Sequence, residues 1–238
     1  MNLSRSYFMI MNHTTKINAI ILVPEITKGM KSIGSKALIS VDKKKSIIEN
    51  QIEYLQKQYT NINISVATGF DADKIQKKTK KYDIDIVHND RYDQTNHGMS
   101  LFMYLNNMKT IQNLLIISNG ILLKEKLPIS NDESIIYALN KKNSDYNIGL
   151  NITEDNKPTY LFYDFPISWS ECVFLNDYSL EKLRSVPIKE TMEQMFLFEI
   201  INYLLDNDCQ FKTEKIANKN ICKITTIKNT RKAKTFYE

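Results

Sequence analysis

Four short apolar runs constrain the fold of this chain most. They lie at 17–23 (INAIILV), 61–67 (NINISVA), 83–88 (DIDIVH) and 113–117 (NLLII), and stretches of helical spacing separate them. After the first run, Ile47, Ile48, Ile52 and Leu55 fall on one face of a helix over 46–59, with Ser46 as its N-cap and Glu49 three residues on, the pattern of a capping box. Asp71 is placed to cap a second helix over 72–80, and 99–108 (MSLFMYLNNM) reads as a third. Strand and helix in alternation predict a mostly parallel sheet covered by helices on both faces. Such sheets bind ligands at the carboxyl ends of their strands, so the polar loop 24–35 after the first run is the first place to look for chemistry.

The second half is less regular. The segment 134–139 is expected to be helical, and 146–152, 159–164 and 172–175 are strand candidates rich in aromatic and β-branched residues. Helices are expected at 178–183, 191–205 and 228–236, with short strands at 210–213 and 221–225. The 191–205 helix carries Met192, Met195, Phe196, Phe198, Ile200, Ile201 and Leu204, a face suited to a core or a subunit interface. No Pro/Gly/Ser-rich linker interrupts the chain, which predicts an N-terminal arm over 1–16 and one domain over 17–238.

The 238 residues carry a net charge of +5, spread along the chain without a basic block or basic-aromatic stripe, so nucleic acid is not an expected partner. Cys172, Cys209 and Cys222 have no paired spacing, which fits a reducing compartment and argues against a disulfide framework or zinc ribbon. No apolar run approaches the ~20 residues of a membrane span. The segment 1–16 lacks an apolar h-region and a small-residue cleavage site. The expected location is the cytoplasm.

Several blocks together resemble the nucleotidyltransferases that join a nucleoside triphosphate to a sugar phosphate or alcohol phosphate, most of all the choline-phosphate cytidylyltransferase type. Lys36-Ala37-Leu38 stands in the place of that family's Pro-Lys-Ala-Leu, and SIIENQIEYLQKQ (46–58) is similar to its first helix. SVATGF (65–70) resembles its V-V-T-G-Y. The block HNDRYDQTNHGMSL (88–101) matches its N-x-x-Y and T-N-N-x-x-S-L at Asn89, Tyr92, Thr95, Asn96, Ser100 and Leu101, with His97 for the second Asn. The C-terminal stretch 221–238 has the rhythm of its E-I-D-T-x-E-D-L-x-x-A. The resemblance implies a three-layer α/β domain of nucleotidyltransferase type (GT-A-like, Rossmann-like), with a smaller mixed β part in the C-terminal half.

The departures concentrate on phosphate and metal. The family's loop L-A-A-G-x-G-x-R presents backbone N–H groups and an arginine to the triphosphate. Here Glu25 and Thr27 take the glycine places, Gly29 takes that of the arginine, and Pro24 lacks a backbone donor. The family's two metal-binding aspartates correspond to Asn119 and Thr225. A magnesium ion usually requires one or two carboxylates besides the phosphates.

By resemblance, Lys36 is the retained phosphate-binding residue of the catalytic loop, balanced against a plain surface lysine. Lys28 and Lys31 are stand-ins for the missing arginine or solvated loop lysines, and Glu25 and Asn119 are further nucleotide or substrate contacts. Asn89, Thr95, Asn96, His97 and Ser100 lie where the family frames the base and acceptor. The same residue types also build turns and helix N-termini. His88 reads as structural. The pairs Asp71/Asp73, Asp83/Asp85 and Asp206/Asp208 look like D-x-D motifs but read as a helix cap, strand alternation and a helix-end turn.

Three functions follow as expectations. The first is a catalytically inactive homologue with a binding, regulatory or structural role. The second is an active CTP-dependent transferase that makes a CDP-linked alcohol or sugar from its phosphate and releases pyrophosphate, with Mg2+ held by other carboxylates such as Glu25 or Asp90. The third is a sugar-transferring enzyme on the same fold. The implied partners are CTP or another nucleotide, a phosphorylated alcohol or sugar, and other copies of the chain or a protein assembly.

Overall fold

Strand β1 (Ile17–Val23) is buried along its whole length and is apolar at every position but Asn18. Ile20 and Leu22 belong to one core cluster, whereas Ile17, Ala19, Ile21 and Val23 belong to another. Both faces of a strand can be apolar only when both are covered, which is the condition of a sheet between two helical layers. Each fully buried Leu or Ile contributes about 1.5–3 kcal/mol of hydrophobic stabilisation, and β1 supplies such residues to both layers.

The computed structural model describes residues 17–24, 34–41, 45–108, 112–186, 190–225 and 229–237. After β1 come a 3-10 turn (Lys36–Leu38), α1 (Ile47–Gln58), β2 (Ile62–Thr68), α2 (Ala72–Thr79), β3 (Asp85–His88), α3 (His97–Asn107), β4 (Leu114–Ser118) and β5 (Ile121–Leu123). The second half adds β6 (Ser134–Leu139), β7 (Ile148–Ile152), β8 (Pro158–Tyr163), β9 (Ile167–Leu175), α4 (Asp177–Ser185), α5 (Glu190–Glu193), α6 (Leu197–Asp206), β10 (Phe211–Ile216), β11 (Ile221–Lys223) and α7 (Thr230–Phe236).

The main sheet has the order β10-β6-β9-β4-β1-β2-β3, with β7 and β8 appended beside β9. Strands β1 to β4 are mutually parallel, with β1 between β2 and β4. The strand order therefore reverses between β1 and β4, and a crevice at their carboxyl ends is the usual ligand position of such a sheet. β9 runs antiparallel between β4 and β6, and β6 is parallel to β10. A separate two-stranded ladder pairs β11 with β5. Helices α1 and α2 contribute Ile48, Ile52, Leu55 and Ile75 to one core, and α3, α4 and α6 contribute Leu101, Leu180 and Ile200 to the other.

The fold class agrees with expectation, and two elements require correction. Residues 134–139 form strand β6, not a helix. All six are buried, because β6 lies between β9 and β10 with both faces covered. A continuously buried strand shows no alternation by which it could be told from a helix. The helix expected over 191–205 is instead two helices, α5 and α6, interrupted at Gln194–Phe196. The backbone there turns aside because the carbonyls of Glu193 and Met195 accept from the N–H groups of Asn96 and Gly98 at 2.9 Å each. The expected box at α1 is present: Glu49 Oε2 accepts from the Ser46 N–H at 2.9 Å and from Ser46 Oγ at 2.8 Å. The expected N-terminal arm lies outside the described residues. Among the described residues, no helix is long and apolar enough to cross a membrane.

Candidate functional site

At the carboxyl ends of β1 and β4, three segments distant in sequence converge. The Asn119–Gly120 turn that ends β4 is held from two sides: the Asn119 N–H donates to Leu22 O at 3.0 Å, and Gln51 Nε2 of α1 donates to Ser118 O at 3.0 Å and Ile121 O at 2.9 Å. From the C-terminal side, the Ile224 N–H donates to Gly120 O at 2.9 Å. Lys36, in the 3-10 turn after the β1 loop, lays its side chain against this junction. A Cβ at Gly120 would stand 2.9 Å from Lys36 Cε, 3.1 Å from its Nζ and 2.8 Å from Ile224 O, and Gly120 has φ +87°. Glycine is therefore required at this position by both backbone conformation and space. Lys36 is itself buried.

A cleft of ≈ 310 Å³ opens here. Its polar floor is Lys36, Ser118, Lys223 and Thr225. Strand β9 contributes Trp169 and Glu171, the hairpin of β7 and β8 contributes Ile148 and Tyr163, and the start of α6 contributes Phe196, Leu197 and Phe198. Trp169 Nε1 donates to Cys172 O at 3.0 Å, which fixes the ring as an apolar wall. The pairing of β9 with β6 shifts register between Ile136 and Ala138, and Glu171 sits in this irregularity with φ 62°. Bulges of this kind re-aim side chains beside functional clefts. The Glu171 carboxylate is paired with Lys223 Nζ, and Lys223 also lies 5.3 Å from the centroid of the Tyr146 ring.

Of the predicted positions, Lys36, His97 and Thr225 line the cleft, whereas Asn119 lies in the adjoining turn and does not line it. His97 opens α3, lines the cleft, and meets the Phe196 ring edge-on at 6.1 Å. Asn119 is buried, and neither atom of its side-chain amide has a hydrogen-bond partner among the described residues.

The remaining members of the 89–100 block lie outside the cleft lining. Asn89 Nδ2 donates to Thr95 Oγ1 and to Ser100 Oγ, each at 3.1 Å, and Asn89 Oδ1 accepts from the Arg91 N–H at 3.0 Å. These bonds use both amide protons of Asn89 and knit the β3–α3 turn. Asn96 Nδ2 donates to Gln194 O at 2.6 Å, fastening α3 to the break before α6. Glu25, Lys28 and Lys31 lie outside the described residues. Asp90, the other carboxylate considered for metal, is exposed and does not line the cleft.

Asp71 does not act as the expected helix cap. It has φ 59°, and its side chain makes no capping bond to α2. Its Oδ2 accepts from the Ser35 N–H at 2.7 Å, and its Oδ1 pairs with Lys74 Nζ at 2.7 Å. Burial pushes this carboxyl up, but the Lys74 ammonium and the Ser35 amide outweigh it and hold it below its usual value.

Magnesium takes six oxygen ligands and one or two carboxylates. Glu171 is the one carboxylate among the described residues that line the cleft, and it is committed to Lys223. No group of three or more His, Cys, Asp or Glu side chains among the described residues is arranged to hold a metal. These residues do not fit a magnesium site.

Sequence reasoning missed Glu171, Lys223 and the aromatic wall. The Met/Phe face expected as core or interface is divided: Phe198 is buried, while Phe196 is 38% exposed at the cleft. The only local signal for the wall was the aromatic richness of 159–169.

No family model matches the sequence, and no curated protein does. Solved structures do match. The chain superposes on the CTP:phosphocholine cytidylyltransferase of Streptococcus pneumoniae with a TM-score of 0.77 at 19% identity, covering 94% of this chain and 100% of that one. It superposes on the inositol-1-phosphate CTP transferase of T. maritima with a TM-score of 0.72 at 13% identity, covering 94% and 97%. For HddC of Yersinia pseudotuberculosis the TM-score is 0.72 at 13% identity, covering 93% and 100%. The chain thus has the nucleotidyltransferase fold, as its sequence blocks implied.

Proposed function

We propose that this chain, built on the nucleotidyltransferase fold, is a catalytically inactive homologue whose cleft binds a phosphorylated small molecule. One observation carries the reading. Lys36 is retained against the Gly120–Ile224 junction, while the flanking positions that resemblance assigns to metal carboxylates are Asn119 and Thr225. A phosphate-binding cation is kept, and the groups that would collect charge on a transferring phosphoryl are not. Loss of such preorganised charge removes the main stabilisation of that transition state.

The ligand reading takes its chemistry from the cleft. Lys36 suits a phosphate, and the faces of Trp169, Tyr163 and Phe196 suit an apolar or alkylammonium head group, which aromatic rings attract. A phosphorylated alcohol, of the kind named for the Streptococcus pneumoniae and T. maritima neighbours, has both parts. A nucleotide is the other ligand with a phosphate and a flat face.

The competing reading is an active CTP-dependent transferase that makes a CDP-linked alcohol or sugar and releases pyrophosphate. It is favoured by one feature, the Glu171 carboxylate in the cleft. The deciding experiment is a pyrophosphate-release assay on purified protein with CTP, phosphocholine and magnesium, run beside calorimetric binding. Binding without release supports the inactive homologue. Steady multiple-turnover release sinks it in favour of the transferase.

A further inference from the structure

Lys223 has an unusual setting for a lysine. Its side chain is only 10% exposed, it leans on the Tyr146 ring, and its anionic partner among the described residues, Glu171, is 20% exposed. A pair this sheltered carries a desolvation cost that its mutual attraction seldom exceeds, so stability is a weak reason for it to be there. Its position offers another reason. Lys223 pairs in register with Ile121 and precedes Ile224, whose N–H binds Gly120 and whose carbonyl, like the Lys36 side chain, packs against Gly120. Lys36, which is buried, and Lys223, whose side chain is 10% exposed, therefore bring two ammonium groups into one cleft, and Ser118 of its lining precedes Asn119, a buried amide with no partner among the described residues.

We infer that Lys223 supplies in this cleft the positive charge that a divalent ion would otherwise bring, so that phosphate binds without metal. The inference rests on the ligand-binding reading above and specifies how that cleft holds an anion. Lys36 and Lys223 grip the phosphate of an organic phosphate ester or anhydride. Glu171 is the internal counter-ion, which neutralises Lys223 in the empty cleft and is displaced by the incoming phosphate. The bulge in β9 and the left-handed backbone of Glu171 bring the carboxylate to Lys223. An anionic ligand competes with Glu171 for the same ammonium, and no metal enters the exchange. The Asn119 side chain, which offers one acceptor and two N–H donors, is compatible with a phosphate oxygen and a poor ligand for magnesium.

The test is calorimetry on the full chain with CTP, with phosphocholine and with inorganic phosphate, each in EDTA and again with excess magnesium. The three probes separate a nucleotide, an alcohol phosphate and the bare anion as the source of the phosphate. The expected result is binding in EDTA within about twofold of that in magnesium. Lys223→Gln should weaken it at least about tenfold, the loss of one charge-assisted contact. Lys223→Arg should retain most of it, and Glu171→Gln should tighten it by removing the competitor. Because Lys223→Gln strands a sheltered carboxylate, the double variant Glu171→Gln/Lys223→Gln, which removes both charges, is the folding-safe control and should bind as weakly. Binding that requires magnesium, or is indifferent to Lys223 in both variants, overturns the inference and leaves the ligand-binding reading intact. Absence of binding in every arm overturns both.

Discussion

Asp71 Oδ2 accepts a hydrogen bond of 2.7 Å from the backbone N–H of Ser35, the residue before Lys36. A side chain from the β2–α2 turn thus clamps the exit of the loop that follows β1. Gly34 fits the same clamp: it has φ +95°, and a Cβ there would stand 2.7 Å from Asp71 Oδ2. Asp71→Ala removes a charge-assisted bond and is expected to cost about 1.5–3 kcal/mol, read as a lowered urea midpoint. Ligand affinity should fall with it, because Lys36 loses its fixed starting point. An unchanged midpoint would show the clamp to be incidental.

Gly120→Ala tests the junction itself. Its positive φ and its contacts with Lys36 and Ile224 leave no room for a methyl group. The substitution should destabilise the protein by about 1–3 kcal/mol and weaken phosphate binding beyond what the stability loss explains. Calorimetry well below the melting temperature separates the two effects.

Glu49 makes acid stability predictable. Burial pushes its carboxyl up, but hydrogen bonds from Lys81, Ser46 and Lys78 outweigh this and bring it down to about 2 from 4.5. A depressed folded value gives a contribution that is whole above the unfolded value and is lost as pH falls from 4.5 towards 2. Lys78 and Lys81 are 40% and 58% exposed, so screening reduces the contribution to about 2 kcal/mol. Urea midpoints measured down this range should fall for the parent and stay flatter for Glu49→Gln.

Asn202 on α6 pairs with the backbone of Leu161 in β8 as a neighbouring strand would. Its Oδ1 accepts from the Leu161 N–H and its Nδ2 donates to the Leu161 carbonyl, both at 2.8 Å. Asn202→Leu keeps the branched shape, though not the volume, and orphans two buried backbone groups. It should cost about 2–4 kcal/mol, and hydrogen exchange at the Leu161 amide should accelerate. A neutral substitution would mean that water replaces the amide there.

The first half of the fold was legible because β1 to β4 recur as apolar runs between amphipathic helices, and that order alone implies the parallel sheet. β6 was not legible, since burial on both faces erases its period. Nor was the break before α6, which no Gly or Pro marks and which depends on carbonyls accepting from Asn96 and Gly98. Lys36 and Thr225, which line the cleft, stood out in the sequence because each lies in a recognisable block. Glu171 and Lys223 did not: charged residues of common type in an irregular region acquire meaning only once the fold brings their side chains together. Asn89, Thr95 and Ser100 illustrate the opposite case, residues in a recognisable block whose side chains bond within the β3–α3 turn.

The pairing of β11 with β5 has a consequence for how the molecule comes into being. The parallel strands β1 to β4 are complete once the first half of the chain exists, but Lys223, Ile224 and Thr225 reach the cleft only through a ladder that closes a loop from Leu123 to Ile221, about 100 residues. Closing so long a loop is entropically late. A nascent chain on the ribosome can therefore have a formed parallel sheet and no binding site, and the ability to take up ligand arrives once β11 has been made and paired. Ligand uptake then reports the docking of β11 on β5, where secondary structure does not.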